Sequence, residues 1–373
     1  MNILFTYTNL LNPTKGGVGR VADTLARYFV MCGYKMYYLN SEFNVKDDYA
    51  FPAEVYTLPN PIFNSKSNRQ FYHSLLNKLA IDVIVNHDAS NNSSKLWLNI
   101  GDHRAKKISI YHTAPLHGLN RGKTYGHFAN IIIRKLRVIK YRIALKSLLK
   151  NTDKLVVLSE QFKKGIQKEL GISSSKIVSI SNPCVFNKYH SEIKKKQVLF
   201  VGRIDWYSKR TDKMLSIWSR LFNKHPDWEL LILGDGPDRK KTETLAKKLQ
   251  LGNVLFKGFV NPETFYEQAS IICLTSNHEG FPMVLPEAMH YSVVPIAFNN
   301  WASLTDVIQH EETGLVVDSN DMDDFVIKLD YLMSNENERK RMALNAKAYV
   351  QKFHVDVIGL QWMELIKLSM DND

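Results

Sequence analysis

The stretch "KQVLFVGRIDWYSK", residues 196–209, decides the fold. Its apolar run Val198–Val201 reads as a strand buried on both faces, which is the habit of parallel sheets. The run breaks at Gly202, and the cations Arg203 and Lys209 follow in the loop. Working outward, "WELLILG" (228–234), "NVLFKGF" (253–259), "IICLTS" (271–276) and "VVPIAF" (293–298) repeat the pattern downstream, with helical stretches between them. Upstream lie an earlier series at residues 2–7, "YKMYYLN" (34–40), "IDVIVN" (81–86), "KISIYH" (107–112) and "KLVVLS" (154–159). Strands that alternate with helices predict an α/β chain built from parallel sheets wound on both faces. Two such series predict two domains facing across a cleft. The polar, aperiodic segment 182–196 is read as the linker, giving domains at 1–190 and 191–354. The segment 353–369 reads as an amphipathic helix after the second series closes.

A chain of 373 residues is comfortable for two cores, and 45% hydrophobic with 23% charged residues is ordinary globular usage. Three separated cysteines without a CxxC pair argue against a disulfide framework or zinc site and fit a reducing compartment. No signal peptide and no membrane-spanning run is read, so a cytoplasmic location is expected. The charge is uneven. Residues 1–200 hold 30 Lys and Arg against 12 Asp and Glu, whereas residues 201–373 hold 19 against 25. A basic half expects an anionic partner. Residues 130–150, "NIIIRKLRVIKYRIALKSLLK", carry seven basic residues among aliphatic ones at helical spacing, and an anionic membrane surface is the expected partner there. No nucleic-acid recognition motif accompanies the charge, so nucleic acid is not expected.

Ligands of doubly wound sheets sit outside the strands' carboxyl ends. Glu279 follows one such strand, and Glu287 falls in the first turn of the next helix, with Pro286 suited to that turn. Backbone amides near Met283–Leu285 would make an anion cradle, flanked by two carboxylates able to accept from sugar hydroxyls. Arg203 offers a fork of donors and Lys209 a point charge, a set suited to a diphosphate. "KGGVGRVA" (15–22) matches GxGxxA, but its loop begins about eight residues beyond the strand and Glu42 lies past the second strand, so a dinucleotide site is not expected. These glycines instead let backbone approach a ligand. His112 ends a strand and can meet a sugar hydroxyl; with His117 it has no acidic neighbour at metal-ligand spacing. Asp321–Asp323 mimics a metal-binding DxD but sits where a helix cap is needed. No metal site is expected.

Together "GGVGRVADTLARYF", "ISIYH", "KLVVLSEQFKKGI", "VGRIDWYSKR", "LGDGP" and "GFVNPETFYEQASIICLTSNHEGFPMVLPEAM", with its E-x7-E spacing, resemble the family 4 retaining glycosyltransferases over nearly the whole chain. The resemblance implies the GT-B fold of two Rossmann-like domains, with helix 355–373 packing back on the first. It implies no cofactor beyond a nucleoside diphosphate sugar donor, with uridine as the expected base. By position, Arg203 and Lys209 would neutralise the donor diphosphate and Glu287 would hold the ribose. Glu279, with the amides of Gly280, Phe281 and Met283, would face the transferred sugar. The amides of Val284 and Leu285 would touch phosphate, and the Phe259–Val260 backbone would lie near the base. Gly16 and Gly17 would approach the diphosphate, and His112 the sugar. Transfer would be metal-independent. The basic first half, and not the resemblance, is what leads to the expectation of a saccharide or lipid-linked saccharide acceptor of the cell envelope and of a place peripheral to the membrane. Alternatives on the same fold are a nucleotide-sugar 2-epimerase, a sugar phosphorylase or a non-catalytic carbohydrate-binding protein. Pro286 and "NNWASLTDVI" (299–308) depart from the family's commoner residues.

Overall fold

The structure is a computed structural model that describes residues 1–14, 16–42, 49–89, 93–116, 118–119, 127–188 and 193–371; of 127–130 it describes the backbone alone. Lys15 of the glycine loop, His117 and part of the 182–196 linker lie outside the described residues.

Two compact units form. One comprises Met1–Cys184 with Val355–Asp373, the other Val185–His354. The boundary falls at Cys184, earlier than residue 190, because Val185–Lys188 goes with the second unit and Val355 donates its amide to the Cys184 carbonyl at 2.9 Å. The first unit holds seven parallel strands: β1 Asn2–Thr6, β2 Lys35–Asn40, β3 Glu54–Thr57, β4 Val83–Asn86, β5 Lys106–Tyr111, β6 Lys154–Val157 and β7 Ile177–Ser179. Their spatial order is β3-β2-β1-β4-β5-β6-β7. The second unit holds β8 Gln197–Val201, β9 Glu229–Leu233, β10 Val254–Gly258, β11 Ile271–Leu274, β12 Val294–Phe298 and β13 Leu315–Val317, in the order β10-β9-β8-β11-β12-β13. Strands β3, β7 and β13 add to the ten read from sequence.

Central strands are apolar without alternation because helices cover both faces. Ile271–Leu274 and Val198–Phe200 are fully buried, and Trp218, Trp228, Phe298 and Phe325 fill the layers around them. In the first unit Phe5, Phe29, Tyr38, Tyr72 and Trp97 do the same. The helix Val355–Met370 belongs to the first unit, where it meets the helix Gly17–Met31 with Tyr28 against Gly359. Local signals set the helix limits. Ser159 caps Glu160–Leu170 by accepting from the Gln161 amide at 3.1 Å, and Gly171 ends that helix in the left-handed region. Asp321 caps Met322–Ser334, accepting from the amides of Asp323 and Asp324, so the DxD look-alike is a helix start. Among the described residues no helix is long and apolar enough to cross a membrane.

Candidate active site

The second sheet reverses its strand order between β8 and β11. At such a reversal the loops leaving neighbouring strands diverge and open a crevice for ligand. The loop after β8 carries Arg203 and Lys209. The loop after β11 carries Glu279, and the helix Val284–His290 bears Glu287 in its first turn.

The four residues are organised as partners. Lys209 Nζ donates to Glu279 Oε1 at 2.6 Å, and the same oxygen accepts from Ser276 Oγ at 2.7 Å. Backbone stitches fix that meeting: the Asn277 amide donates to the Ser208 carbonyl at 2.7 Å, and Thr275 Oγ1 donates to the Lys209 and Arg210 carbonyls at 3.1 and 3.0 Å. Arg203 Nε donates to Asp205 Oδ2 at 2.9 Å, while its side chain stays 65% exposed. Asp205 is buried and accepts from the Ser208 amide and hydroxyl and the Lys209 amide. Burial alone would raise its pKa; the Ser208 hydroxyl and amide, the Arg203 guanidinium and the Lys209 amide outweigh that and bring it down to about 2. Asp205 is therefore a fixed anion that aims the guanidinium. The two cations expected to suit a diphosphate are each one half of an ion pair, and three of the five Arg203 N–H groups have no partner among the described residues.

Gly234, at the end of β9, makes this loop possible. Its φ is +138°, and a Cβ there would lie 2.0 Å from the Gly202 carbonyl oxygen.

At the helix start the amides divide. Those of Met283 and Leu285 are engaged with the carbonyls of Phe281 and Pro282, each at 2.9 Å. Those of Gly280, Phe281 and Val284 donate to no group among the described residues. The cradle is thus narrower than expected: Met283 and Leu285 bond within the turn because it is tight. Phe281 turns its ring into the core against Phe353, with centroids 5.2 Å apart, leaving its main chain outward. Glu287 Oε2 accepts from the Tyr266 hydroxyl at 3.4 Å. Phe259 and Val260 are exposed and follow β10, two strands from β8 along the same carboxyl edge.

The first unit gathers its own residues at its own reversal. Gly16 and Gly17 follow β1 and are exposed, and an added Cβ at either meets nothing within 4 Å; at Gly19 it would strike the Asn12 backbone at 2.3 Å. Two glycines leave backbone open, and the third serves packing. His112, after β5, meets a residue that sequence reading passed over: its Nε2 lies 2.9 Å from Nδ1 of His87, which follows β4. Burial lowers the His112 pKa to about 4, and burial together with neighbouring His112 takes His87 well below the usual range. Both rings are neutral near pH 7. His87 Nε2 is buried without a partner among the described residues. A stranded N–H is rarer than a stranded acceptor, which assigns the His87 proton to Nδ1, donating to His112. The His112 proton then sits on its own Nδ1.

Asp205, Ser208, Ser276, Tyr266 and His87 thus join the residues read from sequence. Asp205 and Ser208 lie inside the quoted stretch, and an acid two places after an arginine was the available signal. Among the described residues no group of three His, Cys, Asp or Glu side chains could hold a metal ion.

Residues 15–185 match the model of Glycosyltransferase Family 4, and residues 183–349 that of Glycosyl transferases group 1. An uncharacterized glycosyltransferase of Haemophilus influenzae is 32% identical over 219 residues, covering 57% of this chain and 61% of that protein. A Campylobacter jejuni α-1,4-N-acetyl-D-galactosaminyltransferase, named for a GalNAc-GalNAc-diNAcBac-PP-undecaprenol acceptor, is 33% identical over 191 residues, covering 50% and 53%. The chain spans between half and two thirds of the length of these curated relatives. The structure of the lipopolysaccharide outer core galactosyltransferase WaaB superposes with a TM-score of 0.74 at 20% identity, covering 99% of this chain and 100% of that one. Anabaena HepE in complex with UDP and glucose gives 0.75 at 15% identity, covering 98% and 99%. The fold is GT-B, two parallel-sheet Rossmann-like domains. The chain belongs to the group 1 glycosyltransferases, with a family 4 first domain.

Proposed function

We propose that this protein transfers a hexose-type sugar from a nucleoside diphosphate donor, UDP in the first instance, to a saccharide or lipid-linked saccharide in envelope polysaccharide synthesis, with retention at the anomeric carbon. The observation that carries this reading is the pairing of Lys209 with Glu279 beside Arg203 at the strand reversal of the second sheet. Arg203 and Lys209 bind the diphosphate and stabilise the charge that grows on it as the glycosidic bond breaks, the electrostatic contribution that dominates such transfers. Glu279 orients the Lys209 ammonium and faces the sugar, Glu287 holds the ribose hydroxyls, and the amides of Gly280, Phe281 and Val284 serve the sugar and phosphate oxygens. Gly16, Gly17 and His112 supply the first domain's part. The protein's own cations do the work that a divalent metal does elsewhere. UDP in the HepE complex and the undecaprenol-linked acceptor in the Campylobacter enzyme's name support the donor and acceptor classes.

The test is a panel of nucleotide-sugars screened for thermal stabilisation, since a donor bound to the folded state raises its melting point. The stabilising donor is then assayed with saccharide acceptors in EDTA. Stabilisation by a UDP-sugar and EDTA-insensitive transfer to a product with the donor's anomeric configuration is expected. Epimer formation from the donor alone, or the absence of stabilisation by every nucleotide, overturns the reading.

A further inference from the structure

Over residues 131–151 the helix His127–Asn151 has two apolar faces, and among the described residues only one is covered. Inward, Leu145 and Leu148 are buried, and the helix rests on Glu160–Leu170. Three of its arginines tie it to the unit: Arg142 donates to the Leu170 carbonyl at 2.7 Å, Arg137 to the Gly118 carbonyl at 3.3 Å, and Arg134 pairs with Glu169. Outward lie Ile132, Leu136, Ile139 and Ile143, between 47% and 64% exposed. Their spacing of four, three and four residues puts them on one stripe, roughly opposite Leu145 and Leu148 at about 100° per residue. Exposed Lys135 and Lys146 border the stripe on one side and Lys140 on the other, with Lys150 at its end. The helix contains no Asp or Glu.

We propose that this outward face lies on an anionic lipid bilayer. Four aligned aliphatic side chains held in water form the kind of patch that marks an interaction surface. Bordering lysines select among occupants. A second copy of the same face would set lysine rows against lysine rows, whereas anionic headgroups pair with them. An interfacial helix buries its apolar face about 5–10 Å into the boundary between headgroups and acyl chains, with lysine stems reaching up to the phosphates. The helix therefore lies on the membrane and its arginines hold the unit behind it. This surface is a part of the molecule separate from the donor site and does not depend on the chemistry proposed there.

The experiment is co-sedimentation of the full chain with vesicles of phosphatidylcholine alone or of phosphatidylcholine and phosphatidylglycerol in equal parts. Two variants are compared: Leu136→Asp with Ile143→Asp, and Lys135→Gln with Lys140→Gln and Lys146→Gln. Their melting points are expected to match the parent, because every substituted side chain is exposed. The parent is expected to sediment with the anionic vesicles, to partition about tenfold less in either variant, and to release in high salt. Equal partitioning of parent and Leu136→Asp/Ile143→Asp overturns the proposal. So does equal binding to phosphatidylcholine alone, or a concentration-dependent dimer that the aspartate variant dissolves.

Discussion

Lys209 and Glu279 stand 70 positions apart in the chain and meet at 2.6 Å, each side chain largely withdrawn from water. The bond joins the loops leaving two adjacent strands, so the ammonium is placed by the sheet and not by its own flexible stem. A group placed this way can act on developing charge without first being ordered.

Turnover should follow. Arg203→Ala, Lys209→Ala and Glu279→Gln are each expected to lower kcat about 10²-fold or more, the scale for one preorganised stabiliser. Because Lys209 and Glu279 act as a pair, the double variant should lose much less than the product of the single losses. Steady-state kinetics with the stabilising donor checks both statements. A fully multiplicative double variant would show two independent groups.

Glu287 should act on affinity. In the donor complex we propose, its carboxylate accepts from the ribose hydroxyls, and hydrogen bonds to a charged group contribute about 1.5–3 kcal/mol each. Glu287→Gln is expected to weaken UDP about tenfold or more, with a smaller change in kcat at saturating donor. Calorimetric titration with UDP gives the number directly.

The histidine pair predicts a proton position and a pH dependence. In ¹⁵N spectra at neutral pH, His112 should show its proton on Nδ1, and His87→Leu should remove that preference. The stability sign follows from the depressed pKa. Unfolded His112 takes up its proton below about 6.5, and the folded residue resists until about 4. Stability of the first unit is therefore lost as pH falls through that window, because the unfolded state binds more protons there. Melting at about pH 7 and about pH 5 should show the loss, and His112→Phe should reduce it.

Gly234 should tolerate no side chain. Gly234→Ala places a methyl 2.0 Å from the Gly202 carbonyl oxygen at a left-handed φ. A loss of about 3 kcal/mol is expected, from overpacking and strain together. Chemical denaturation followed by Trp fluorescence, with Trp218 and Trp228 in the second unit's core, measures it.

The parallel strands were legible because central positions buried on two faces must be apolar throughout, as Val198–Val201 and Ile271–Leu274 are. Strand β3, Glu54–Thr57, lies at a sheet edge with three of its four residues exposed, so it lacks that signature; β7 and β13 are three residues long and too short to show one. At the site, residue chemistry and spacing pointed to Arg203, Lys209, Glu279 and Glu287. Which acid each cation meets was hidden, since Glu279 reaches Lys209 through pairing of β8 with β11 and not through sequence proximity. His87 was hidden for the same reason: its partner comes from the adjacent strand. The unit boundary was misplaced by several residues because the coil around Cys184 has no periodicity to mark where one core ends.

Among the described residues, the Asp205 carboxylate draws its hydrogen-bond partners from within four residues of itself, and none from a neighbouring strand. Segment 203–209 is in that respect a prefabricated hook. Tyr207, which is 62% exposed, is where an engineer could vary the rim of the crevice while the guanidinium keeps its bearing, whereas Ile204 is core and Trp206 is tied to Asp238 and Thr242.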